Sequence, residues 1–236
     1  MTSQRQAVLV FANAAVLDCA QRGWPLAFQQ LLGRNDFPSW SNVGFDIHVF
    51  TSPAFATTSG TSLAIHRQSG SSFGEKLENA VATLADLGYT KVVIVGSDCP
   101  DLEPADIQQA FSALKQRRLV LGPDHRGGCY LIGLDVRDRC HLHGVQWQRN
   151  TDFEELLRRF GVENCWQLPV KLDLDTWSDL RLLARSPSRC REVAANLLQL
   201  FWFHSSYRSS TIELRKKEQR IRWQLPPPPS VRLSSL

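Results

Sequence analysis

The sequence predicts an α/β domain built on a mostly parallel sheet with helices on both faces, and three observations lead there. Apolar, β-branched runs such as Val92-Val93-Ile94-Val95 recur along the chain. Between them lie segments whose apolar residues fall at helical spacing, as Leu77, Val81, Leu84 and Leu87 do. Strands alternating with helices of that length require crossover connections, which parallel sheets use. Finally, the Val92 run ends directly in Gly96-Ser97-Asp98-Cys99-Pro100-Asp101, and the carboxyl ends of strands are where open α/β sheets hold ligands. With 236 residues, 43% hydrophobic and 21% charged, the chain suffices for one such domain and an appendage.

Taken in order, Ala7 to Ala12 is the first strand. Trp24 to Leu32 reads as a short helix stopped by Gly33, and Phe45 to Phe50 as a strand bounded by Gly44 and Pro53. Ala54 to Ser72, rich in Ser, Thr and Gly, is loop with a short strand at Leu63 to Arg67. A helix over Phe73 to Leu87 and a strand over Val92 to Ser97 follow. Pro104 suits a first helical turn, and Ile107, Ala110, Phe111 and Leu114 give that helix one apolar face through Lys115. Leu119 to Leu121 and Tyr130 to Leu134 are strands flanking a turn at Pro123 to Gly128. Thr151-Asp152-Phe153-Glu154 reads as a capping box opening a helix to Phe160, with Gly161 as its stop. A strand at Cys165 to Leu168 and a helix near Trp177 to Ala184 complete the set.

The charge divides the chain. Residues 1–185 carry 18 Lys+Arg against 20 Asp+Glu, whereas residues 186–236 carry 9 against 3. The expected organisation is therefore one domain over residues 1–185 and a basic, helical extension over 186–236 that ends in the Pro226 to Pro229 segment. The extension reads as a packed helix followed by a solvated tail, with Arg215, Lys216, Lys217, Arg220 and Arg222 as the residues that would touch an anionic surface. Six cysteines without a C-x-x-C pair suit reduced thiols. The apolar stretch after Arg5 is too short for a signal-peptide core, and no run reaches the roughly 18 residues of a membrane span. A soluble, cytoplasmic protein is the expectation.

Three elements carry candidate chemistry. Asp98 and Asp101, separated by Cys99-Pro100, sit at a proline-fixed turn and offer hard oxygen ligands to Mg²⁺ or Mn²⁺; Asp98 would alternatively satisfy backbone amides of its turn. In Asp173-Leu174-Asp175-Thr176, alternation sends both acids to one side of an extended segment, although Asp175 or Thr176 equally suits a helix cap. In Gly122-Pro123-Asp124-His125-Arg126-Gly127-Gly128-Cys129-Tyr130, the paired glycines let backbone approach a ligand, Arg126 suits a phosphate, and Asp124 or His125 suits an acid, base or orienting group. A plain hairpin turn accounts for the glycines as well. Among other polar groups, His48 reads as structural, Cys140-His141-Leu142-His143 as exposed loop, and Glu75 receives no role.

The order of these motifs is specific. Phe73-Gly74-Glu75-Lys76-Leu77, then Gly96 to Leu102, then Gly122-Pro123 with Gly127 to Leu134, then Leu168-Pro169 with Asp173 to Thr176 resembles one bacterial domain-of-unknown-function family. Its members are glycosyltransferase-A-like, and some are labelled arsenosugar-biosynthesis glycosyltransferases. The resemblance covers about residues 7–185. It implies a nucleotide-diphospho-sugar transferase fold and transfer of a glycosyl group from a nucleotide-sugar donor, with Asp98 as the metal-binding acid and Asp173 and Asp175 nearby. The combined expectation is a metal site of Asp98, Asp101, Asp173 and Asp175, catalytic roles for Asp98 and Asp124, and substrate contacts from Arg126, Gly127 and Gly128. Nucleotidyl transfer, known in the same superfamily, and a non-catalytic binding protein are the alternatives. Two departures from the family pattern motivate the latter: Asn13 to Ala20 replaces a Lys-Thr-Arg phosphate loop, and Arg126 stands where the family has aspartate.

Overall fold

A computed structural model of the protein describes residues 5–12, 19, 24, 44–52 and 63–199. The helix expected from Trp24 to Leu32, the Asn13 to Ala20 segment and the basic and proline-rich tail lie wholly or mostly outside the described residues. The chain divides into two units, Met1–Ala194 and Ala195–Leu236. Of the second, residues 195–199 are described and are helical.

The first unit is a mostly parallel seven-stranded sheet with helices. Its strands are β1 (Gln6–Phe11), β2 (Asp46–Thr51), β3 (Ala64–Arg67), β4 (Lys91–Val95), β5 (Leu119–Pro123), β6 (Cys129–Asp135) and β7 (Cys165–Gln167), in the order β3-β2-β1-β4-β6-β5-β7. All neighbouring pairs run parallel except those of β6, which lies antiparallel to both β4 and β5. The helices are α1 (Phe73–Asp86), α2 (Pro104–Ala113), α3 (Asp152–Phe160) and α4 (Trp177–Leu183), with 3₁₀ turns at Val136–Leu142 and Val162–Asn164.

Strand alternation sorts the core into two layers. Ala7, Leu9, Val92, Ile94, Leu119 and Leu121 face Leu77, Val81 and Leu84 of α1 and Leu156 and Phe160 of α3. Val8, Val10, Val93, Val95 and Val120 face Ile107, Ala110 and Phe111 of α2. Both faces of the central strands are thus buried, which explains why they read as unbroken apolar runs.

Local chemistry sets the helix ends. Ser72 caps α1 by accepting from the Glu75 amide. Glu103 and Asp106 form a reciprocal capping box ahead of Pro104, and Thr176 and Asp179 form another at α4. The box expected at Thr151 and Glu154 does not form: the Thr151 side chain makes no cap bond, and the neighbouring Glu155 instead accepts from the Gln146 amide at 2.8 Å and pairs with Arg159. Gly161 still ends α3, at φ 83°. His48 is structural as expected. It is buried in β2 and bonded at 2.9 Å to both His66 and the Tyr89 hydroxyl.

Candidate functional site

The carboxyl ends of β1, β4 and β5 and the amino end of β6 meet at one rim of the sheet, around a cleft of about 420 Å³. Antiparallel β6 places the hairpin turn after β5 at this rim, beside the end of β4. The segment after β7 then returns along it: the Lys171 amide donates to Pro123 O at 3.1 Å, and the Leu174 amide donates to Asp98 O at 2.9 Å. That last bond fixes Asp173 beside Asp98.

The two carboxyl groups are hydrogen-bonded to each other. Burial, then the neighbouring Asp98 and Asp175 charges, hold Asp173 well above the usual carboxylate range. One Asp173 oxygen, Oδ1, is buried without a hydrogen-bond partner. Asp98 folds back over the start of its own loop, where a side chain at Gly96 would come within 2.5 Å of Asp98 Oδ1, so that glycine is required for the acid's position.

The remaining acids divide. Asp124, Asp152 and Asp175 line the same cleft as Asp98 and Asp173. Asp101 is not among its lining residues; its Oδ1 accepts from Ser188 at 2.6 Å, and its carbonyl accepts from Lys171 Nζ. The structure thus brings three of the four sequence-predicted metal acids to the cleft and takes the fourth to a structural bond.

Asp124 is 7% exposed, and its Oδ1 accepts the amides of Arg126 (2.6 Å) and Gly128 (2.9 Å). It organises the hairpin turn. Arg126 is held by Asp175 and, at 3.2 Å, by Asp179. Asp179 also accepts from the amides of Asp175 and Thr176 and from His125 at 3.0 Å if that ring nitrogen carries the proton. Burial raises its pKa, but these bonds and Arg126 outweigh that and leave it lowered. Arg126 thus ties the hairpin turn to the start of α4 while it also lines the cleft, with its Nε buried and without a hydrogen-bond partner.

The paired glycines have packing reasons of their own. A Cβ at Gly127, whose φ is +102°, would meet Asn150 O at 2.4 Å, and one at Gly128 would meet Asp124 Oδ2 at 2.7 Å. At Gly122 it would strike the Tyr130 ring at 2.5 Å. Packing alone therefore requires glycine at all three positions, and Gly128 also lines the cleft.

One wall of the cleft was not legible as such in the sequence. Trp147 and Asp152 both line it, from a stretch that periodicity reads only as loop and helix start. Trp147 packs on Phe73 and lies so close over Gly74 that a Cβ there would come within 2.9 Å of the indole. A glycine in the first turn of a helix, within Phe73-Gly74-Glu75-Lys76-Leu77, was the available signal. The Cys140 to His143 stretch forms the end of a 3₁₀ turn in which His141 packs on Phe160.

The mostly parallel sheet with an acid-lined cleft at its carboxyl rim is an α/β fold shared with solved nucleotide-diphospho-sugar transferase-like structures. Residues 43–149 match the family model DUF2064, described as an uncharacterized protein conserved in bacteria. Among solved structures, a candidate nucleotide-diphospho-sugar transferase from Desulfovibrio desulfuricans G20 superposes with a TM-score of 0.68 at 23% identity, covering 84% of this chain and 95% of the other. Rv0371c from Mycobacterium tuberculosis H37Rv, in complex with manganese, gives 0.53 at 18%, covering 78% and 100%. A candidate glucose-1-phosphate thymidylyltransferase from Bacillus anthracis gives 0.52 at 8%, covering 80% and 95%. No curated protein matches the chain. Among the described residues no helix is long and apolar enough to cross a membrane.

Proposed function

We propose that the protein is a transferase that moves a glycosyl group from a nucleotide-sugar donor to an acceptor hydroxyl with the help of a divalent cation. The observation that carries the reading is the Asp98–Asp173 pair, two carboxyls from separate loops pressed together at the rim of the cleft with one oxygen left unpartnered. Buried polar atoms are nearly always paired, and an orphaned carboxylate oxygen beside a second carboxyl fits Mg²⁺ or Mn²⁺.

Asp98 and Asp173 are the residues that would hold the ion. Among the described residues no three His, Cys, Asp or Glu side chains are arranged to hold a metal. Two carboxylates with water and substrate phosphates completing the shell is the ordinary arrangement for Mg²⁺ at phosphorylated substrates. When bound, such an ion neutralises the charge that gathers on a departing diphosphate. The manganese complex of Rv0371c supports the choice of cation.

The chain's own residues supply the frame. Asp124 holds the hairpin turn, Arg126 ties that turn to Asp175 and Asp179, and the Leu174–Asp98 bond keeps the two acid loops in register. Arg126 spends part of its charge on Asp175 and Asp179, so a cation held by Asp98 and Asp173 would supply positive charge for the diphosphate. Nucleotidyl transfer is the second reading, favoured by the thymidylyltransferase of like fold.

A thermal-shift panel decides between them. Nucleoside diphosphates, nucleotide sugars and nucleoside triphosphates are each added with and without Mn²⁺, since a ligand that binds the folded state raises the melting temperature by mass action. Manganese-dependent shifts with nucleotide sugars support glycosyl transfer, and shifts with triphosphates alone support nucleotidyl transfer. No shift with any donor leaves the non-catalytic alternative.

A further inference from the structure

The wall of the cleft opposite in sequence to the acid pair, from Val145 to Phe153, has no part in the reading above. Two of its polar atoms, Trp147 Nε1 and Asp152 Oδ1, are buried and have no hydrogen-bond partner, and both residues line the cleft. One is an orphan donor and the other an orphan acceptor. A ligand that satisfies both must accept at one point and donate at another, which a hydroxyl-bearing molecule does.

The rest of the wall has the same character. Phe11, Phe73 and Trp147 form a run of rings with centroids 5.2 and 5.8 Å apart, an apolar surface suited to the C–H face of a sugar. The wall is also fixed in place. Gly127 packs under Asn150 O, the Phe153 amide donates to Gly127 O at 3.2 Å, and the Gln146 amide donates to Glu155 at 2.8 Å.

We propose that Trp147 and Asp152 form the acceptor subsite, and that Asp152 is the catalytic base that takes the proton of the acceptor hydroxyl; this rests on the glycosyl-transfer reading. In the step, the hydroxyl O–H bond breaks and its proton passes to the Asp152 carboxylate. The freed oxygen pair forms the bond to the anomeric carbon, and the bond from that carbon to the diphosphate breaks, its electrons leaving with the diphosphate.

The surroundings suit a base. Burial raises the Asp152 pKa to about 6, against the backbone amides of Gln148 and Arg149, which lower it; Asp124 from the hairpin turn and Glu155 from α3 raise it further. The Cys129 thiol of β6 also faces it. Such a group is ionised at neutral pH and still basic enough to accept a proton. Asp124, the base suggested by sequence, already uses Oδ1 on two backbone amides.

The test starts from the nucleotide sugar that gives the largest manganese-dependent thermal shift. Release of nucleoside diphosphate from that donor, with water as the acceptor, is followed from about pH 5 to 8 for the native protein and for Asp152→Asn, Asp152→Glu and Trp147→Phe. Asp152→Asn is expected to keep the donor shift and lose about 10²–10⁴-fold in rate, with the native rise in rate through pH 6 abolished. Asp152→Glu should recover part of the rate, and Trp147→Phe should keep the donor shift with a lowered rate. A native rate in Asp152→Asn, loss of its donor shift, or no release by the native protein from a bound donor overturns the proposal. Absence of any donor shift in the native protein overturns the glycosyl-transfer reading itself and this proposal with it, and is recognised before any variant is made.

Discussion

Replacing Asp173 with asparagine separates a cation site from a carboxyl kept for the fold, because the two ideas predict opposite changes. Burial and Asp98 hold the Asp173 pKa well above the usual carboxylate range, so at about pH 8 folding must take up a proton that the unfolded chain has lost. The adjacent Asp98 adds like-charge repulsion, which the pair relieves only by holding a proton. Asparagine keeps the shape and gives Asp98 an amide donor without the proton that the native pair must take up on folding at neutral pH. The metal-free variant should therefore be more stable than the native protein by about 1–3 kcal/mol, or roughly 2–12 °C in a domain of this size. Manganese at a hundredfold excess over its dissociation constant stabilises a one-site protein by about 2.7 kcal/mol, and the variant should lose that gain entirely. Melting curves of both proteins at about pH 8, with and without excess manganese chloride, read both effects in one experiment. A variant that melts lower than the native protein and keeps its manganese shift refutes the reasoning.

Three further outcomes follow from the geometry. The Asp152 pKa of about 6, against an ordinary 3.8, means that the folded state binds this proton more tightly than the unfolded chain. Native stability thus falls as the pH rises from about 4 to 6, and Asp152→Asn should be more stable above that window by about 1–2 kcal/mol after solvent screening, with no advantage below it; equal guanidinium midpoints at about pH 7 would count against it. Asp179, whose pKa is lowered by Thr176, the Asp175 amide and Arg126, contributes stability that is present above about pH 4 and lost on further acidification. Asp179→Ala should cost about 2–3 kcal/mol in urea unfolding at neutral pH, through the lost cap and charged bonds. Gly122→Ala should cost about 1–3 kcal/mol by overpacking against Tyr130, and adding Tyr130→Leu should recover part of the loss.

How much of this was legible depended on whether a residue's role is local. Strands β1 and β4 were readable because burial on both faces writes a near-continuous apolar run, β2 because β-branched and aromatic residues sit between Gly44 and Pro53, and α1 because its buried residues Leu77, Val81 and Leu84 keep helical period. The cap at Thr176 and the stop at Gly161 were readable because their partners lie within a few residues. The pairing of Asp98 with Asp173 was anticipated from the family order of motifs, since nothing in either loop alone requires it. Asp101 illustrates the converse: the spacing that makes it look like a ligand says nothing of Ser188, which accounts for its carboxylate. Arg126 looked like a free cation because its partners, Asp175 and Asp179, lie about fifty positions later and meet it only through the fold. Trp147 and Asp152 went unnoticed for the same reason, their buried, unpartnered atoms being a property of the assembled wall.

The register bond between Leu174 and Asp98 makes the site depend on a segment far along the chain. Every strand except β7 precedes residue 136, so most of the sheet can pair while the segment that delivers Asp173 is still being synthesised. A chain ending just after α3 would have six of the seven strands yet lack Asp173, one of the two acids proposed to hold the cation. The two acid loops are thus joined only by the segment that follows β7, through its bonds to Pro123 and Asp98.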